Sequence, residues 1–78
     1  MTPQTSSDIH LAAIGRKEAD AIAFVNLGSP ADAQRIRADL ALMQFPGVTQ
    51  REFLKLDTER NQASARISQA IENAGAAQ

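Results

Sequence analysis

The sequence has no cysteine, no tryptophan and no tyrosine, and only one histidine among 78 residues. Without cysteine there are no disulfides and no thiolate metal ligands, a composition that suits a reducing cytoplasm. Without Trp or Tyr, the usual platforms for stacking bases and the usual anchors of binding hot spots are missing. The longest apolar run, residues 21–25, is far too short for a membrane span or the hydrophobic stretch of an export signal. A soluble, cytoplasmic chain that does not enter a membrane is therefore expected. Charge of one sign is also lacking: the net charge is −1 and the charges are interspersed, which argues against a face built to hold nucleic acid.

The residues of chemistry are equally sparse. Nucleophilic catalysis needs a nucleophile, a base within hydrogen-bond reach and a group to orient it. His10 lies beside Ser7 and Asp8, but next-door residues on a helix project in different directions and cannot form a relay. His10 reads as a solvated surface histidine. Asp57 and Glu59 have no His or Cys companion at ligand spacing, and the four glycines are too scattered to cradle phosphate. No catalytic residue, metal ligand or cofactor site is expected, and the chain does not read as an enzyme.

What is present is apolar surface, much of it small: 15 alanines against six isoleucines, six leucines, two valines and three phenylalanines. A single domain of this length sits near the size at which a core just suffices, so self-association is expected.

Punctuation divides the chain into helices. Met1–Ser7 is polar and reads as a loose arm, with Ser7 or Asp8 as cap of a first helix running to about Leu27. Gly28 suits the position just past a helix end, and Ser29-Pro30 suits the start of the next, with Asp32 favoured by the helix dipole. Pro46 and Gly47 stop a second helix at about Phe45. Thr49 and Glu52 then have the spacing of a capping box, with Val48 and Phe53 placed to form a hydrophobic staple. A third helix follows over about 50–74. Apolar residues recur at helical spacing in each: Leu11, Ile14, Ile22 and Val25; Ala33, Ile36, Leu40 and Met43; Phe53, Leu56, Ala63, Ile67, Ala70, Ile71 and Ala74. The expected fold is all-α, a three-helix up-down-up bundle over residues 8–78 with a long C-terminal helix.

Two opposite charges interrupt these stripes, Glu18 in the first helix and Arg60 in the third. In an up-down-up bundle the first and third helices run parallel. Counted from the expected helix starts, both charges reach nearly the same height, which predicts a buried polar pair. Other apolar residues fall off the stripes: Ile9, Phe24 and Leu27, then Leu42 and Phe45, then Leu54. A kink at Gly15 would turn Phe24 inward. Beyond Leu56, the only large apolar residues of the third helix are Ile67 and Ile71, so its last turns are expected to overhang the bundle or pair with a copy. Together Phe24, Leu27, Leu42, Phe45, Leu54, Ile67 and Ile71 make the candidate interaction surface.

Gly47-Val48-Thr49 followed by Phe53 and Leu56 resembles the turn and second helix of helix-turn-helix proteins, over about ten residues. The resemblance implies DNA contacts from Thr49, Gln50, Arg51 and Lys55. Met43 and Pro46 depart from the pattern, and the third helix carries four basic and four acidic residues, leaving little to neutralise phosphate. Membrane attachment through the first helix is weak for the same reason, because Glu18 and Asp20 accompany Arg16 and Lys17. By elimination, the sequence reads as a non-enzymatic module that binds another protein: a small inhibitor, adaptor or assembly subunit of the kind phages and mobile elements encode. A dimeric DNA-binding regulator is the alternative, with nucleic acid the less expected partner.

Overall fold

A computed structural model of the chain describes residues 6–76. Three helices follow in order: α1 (Ser6–Asn26), α2 (Pro30–Ala41) and α3 (Gln50–Ala76). They form an up-down-up bundle in which every helix packs on the other two, and no strand occurs among the described residues. Of the expected arm, Ser6 and Ser7 belong to α1, and residues 1–5 lie outside the described residues. Ser7 and Asp8 thus lie inside the first turn and do not cap it from before; Asp8 meets the positive end of the helix dipole there.

The helix ends follow local chemistry. Past α1, Gly28 adopts φ 85°; its N–H bonds the Val25 carbonyl at 3.0 Å, and the Ser29 N–H bonds the Phe24 carbonyl at 2.8 Å. This is the Schellman pattern, which consumes carbonyls that the helix end would otherwise orphan. Pro30 opens α2 at its first position, but the Ser29 hydroxyl makes no cap; only its carbonyl starts the ladder, accepting from Asp32 at 3.1 Å. The capping box of α3 is complete. The Thr49 N–H donates to the Glu52 carboxylate at 3.0 Å, and the Glu52 N–H donates to the Thr49 hydroxyl at 3.2 Å.

One boundary differs from expectation. α2 ends at Ala41, not at Phe45, and its last N–H groups turn back in tight bonds from Leu42 to Asp39 and from Met43 to Leu40, both 3.1 Å. A helix carried to Phe45 would hold that ring on the outer side. Unwinding over 42–45 lets Phe45 swing inward, where it is buried; burying an aromatic ring of this size is worth about 1.5–3 kcal/mol. Pro46 also disfavours helical backbone at Phe45, and Gly47, at φ 78°, completes the turn.

The core comprises Ile14, Ala21 and Val25 of α1, Ala33 and Leu40 of α2, Phe45 of the loop, and Leu56, Ala63 and Ile67 of α3. Its phase on α1 is rotated from the expected one. Ala21 is fully buried, Ile22 half-buried and Leu11 exposed, while His10 takes the inner position that Leu11 was expected to hold. α1 runs unbroken through Gly15, and Phe24 packs on the core from the flank of the stripe without a kink.

The far half of α3 does not overhang. Ile67 is fully buried, and Ala70, Ile71 and Ala74 pack against the core. The reason is register. Glu18 bonds Arg66, which sets α3 about 6 Å lower than α1 at their starts and leaves the two tops level to about 3 Å.

Candidate functional site

The polar and aromatic groups that sequence reasoning treated separately converge on the loop between α2 and α3. The Phe45 ring is the hub. His10 of α1 meets it edge-on, with ring centres 5.4 Å apart, and Phe53 of α3 meets it at 6.0 Å, both in tilted geometry favoured by aromatic quadrupoles. The Arg60 guanidinium lies over the same ring at 5.0 Å. Arg60 also donates to the Met43 carbonyl at 2.7 Å and pairs with Asp57 one turn earlier. His10 Nε2 lies 3.0 Å from the Pro46 carbonyl, so that nitrogen carries the proton and donates.

This arrangement revises two expectations. Arg60 does not face Glu18. The connection 42–49 is longer than expected because α2 stops early, and α3 starts lower along the bundle than α1. Glu18 therefore meets Arg66, about 9 Å further along α3 than Arg60. The contact is two-pronged, Arg66 Nε to Glu18 Oε2 at 2.6 Å and the second guanidinium nitrogen to Oε1 at 2.9 Å. The arginine hydrogen bonds hold the Glu18 carboxyl below its usual range. His10 is likewise more than a solvated surface histidine: partly exposed, it packs its ring on Phe45 and bonds the Pro46 carbonyl.

The candidate interaction residues separate by exposure. Phe45 and Ile67 are buried and offer no surface, while Phe24 and Ile71 are half-buried against the core. Leu27, Leu42 and Leu54 stand in solvent at 77%, 80% and 58% exposure. Phe53, expected in the core stripe, is 42% exposed because it sits at the level where α1 begins and no helix covers it. Ile9 on α1 is 53% exposed. Exposed large apolar side chains thus stand at both ends of the bundle: Leu42, Phe53, Leu54 and Ile9 toward the loop end, and Leu27 at the far end of α1.

Thr49, Gln50, Arg51 and Lys55 are all exposed, with the Thr49 hydroxyl engaged in its cap. The connection preceding them spans residues 42–49, longer than the three- or four-residue turn of a helix-turn-helix. Among the described residues, no cluster of three or more His, Asp or Glu side chains is placed to hold a metal ion. No described helix is long and apolar enough to cross a membrane. Compared with protein-family models, curated proteins and solved structures, the chain matches none of them.

Proposed function

We propose that the chain is a non-enzymatic helical interaction module of the cytoplasm, which binds another protein through the loop end of its bundle. The observation that carries this reading is the exposure of Leu42, Phe53 and Leu54 at one end of a bundle with a filled core. Large apolar side chains left in water at one end of a bundle suit a contact with a partner. The loop beneath them is pinned by His10 and Arg60, so a partner meets a preformed surface and spends little entropy ordering it. Exposed Arg51 and Lys55 beside the apolar residues favour a partner with an acidic rim around an apolar groove.

The test compares affinity capture by the wild type and by a Leu42→Asp/Leu54→Asp variant. Both positions are exposed, so helix content and melting should be retained. A protein retained by the wild type and lost by the variant supports the reading; identical capture by both overturns it. Mobility shift on random duplex DNA runs alongside. Retardation that falls steeply with salt would replace this conclusion with the DNA-binding regulator.

A further inference from the structure

The outward face of α1 is unpartnered, and its residues are arranged about a centre. Ile9, Ala13, Arg16, Asp20, Ala23 and Leu27 lie within about 40° of one line along the helix, on the side away from Ile14, Ala21 and Val25. The face has relief. One shallow hollow of about 560 Å³ lies over Ala12 and Ala13, walled by Ile9, Arg16, Lys17 and Asp20. A second, of about 350 Å³, lies over Ala23 between Asp20, Phe24 and Leu27. Alanines make the floors, and larger side chains make the walls.

We propose that this face binds a second copy of the chain, with the two α1 helices packed antiparallel about a two-fold axis at the level of Glu18. The positions pair about that point. Ile9 and Leu27 are equally far from residue 18, as are Ala13 and Ala23, and Arg16 and Asp20. An antiparallel copy therefore sets Ile9 against Leu27 of the second chain and Ala13 against its Ala23. Arg16 meets Asp20 of the second chain, and the two-fold repeats that pair. Neither Arg16 nor Asp20 has an ion-pair partner within its own chain among the described residues. The exposed edge of Phe24 lies toward Ala13 of the other copy, and small residues at the seam permit close approach of the axes.

Charge selects this orientation. Parallel packing in register would set Arg16 on Arg16 and Asp20 on Asp20, and like charges in contact are strongly disfavoured. The pairing is isologous, so it uses each face once and stops at the dimer. A single helix face lies at the small end of specific interfaces, which places the association in the weak range. This surface shares no residue with Leu42, Phe53 and Leu54 at the loop end, and the two readings fail independently.

Sedimentation equilibrium from about 10 μM to about 1 mM tests the proposal. The wild type should pass from the 8.4 kDa chain mass to twice that value. Arg16→Asp alone, or Asp20→Arg alone, creates two like-charge contacts per dimer and should weaken association at least about tenfold. The double variant restores both pairs in reversed order and should restore the dimer. Both sites are exposed, and far-UV circular dichroism confirms an unchanged helix content. A wild type that stays at 8.4 kDa throughout, single variants that dimerise like the wild type, or a double variant that stays monomeric would each overturn the proposal. Leu42→Asp/Leu54→Asp should leave the mass unchanged, and Arg16→Asp should leave capture of a foreign partner unchanged.

Discussion

Arg60 occupies a core stripe, between Leu56 and Ala63, yet its charge is not matched across the bundle. Its side chain is 15% exposed and its guanidinium is shared among three groups: the Met43 carbonyl, the Asp57 carboxylate and the face of Phe45. The carbonyl lies past the end of α2, where no helical N–H reaches it, and the ring arrives by the unwinding. Arg60 therefore stabilises the feature that hid its role from the sequence. Its place on the inner face was legible from spacing; its partners were not, because they depend on where α2 stops. Arg60→Met keeps the aliphatic stem and removes the head, leaving the Met43 carbonyl short of a donor. A loss of about 1–3 kcal/mol is expected, read as a lower urea midpoint. Arg60→Lys, which keeps one donor and the charge but not the planar fork, should fall between. An unchanged midpoint for Arg60→Met would show that the loop docks without this contact.

Two glycines separate helix propensity from backbone geometry at the scale of the element. A methyl group added at Gly15 or at Gly28 meets nothing within 4 Å, so packing contributes to neither substitution. Gly15 lies inside α1, where alanine loses less chain entropy on folding; Gly15→Ala should stabilise by about 0.5–1 kcal/mol. Gly28 holds φ 85° in the Schellman turn, a conformation that costs an L-residue about 1–2 kcal/mol. Gly28→Ala should destabilise by that amount. In a domain of this size each kcal/mol moves the melting temperature by roughly 4–8 °C, so thermal melts should show shifts of opposite sign. Shifts of the same sign would refute the assignment of the turn. These ends were legible because Gly28, Pro30 and the Thr49–Glu52 pair act through neighbours within a few residues. The end of α2 and the phase of α1 were not. Phe45 leaves its helix for the sake of a core built by all three helices, and His10 displaces Leu11 from the inner face because its ring and its nitrogen both find partners on a loop 36 positions away.

At the scale of the molecule, the same shift of α3 along α1 decides several outcomes together: Glu18 meets Arg66, Ile67 is covered, and Phe53 is left at an open end. Leu27, Leu42 and Leu54 stand in solvent, where local phase alone places them, and Ile67 and Phe45 are buried, where register or unwinding intervened. The Glu18–Arg66 contact marks that register and gives it a pH dependence. Its sign follows from the direction of the shift. The folded-state carboxyl titrates below its ordinary value near 4.5, so the unfolded chain binds more protons in the interval between the two values, and stability rises with pH there. The contribution is present in full above the ordinary value and is lost as pH falls through the folded-state value. Arg66 is half in solvent, its side chain 53% exposed, so salt should screen part of the effect. Melting curves of the wild type and Glu18→Gln, recorded from neutral pH downwards, should therefore differ at neutral pH and converge in acid below the ordinary carboxyl range. The gap at neutral pH should also narrow as salt is added. A gap that persists undiminished at the lowest pH would mean that Glu18 contributes through its packing and not its charge, and the register of α3 would then rest on the apolar seam of Leu56, Ala63 and Ile67 alone.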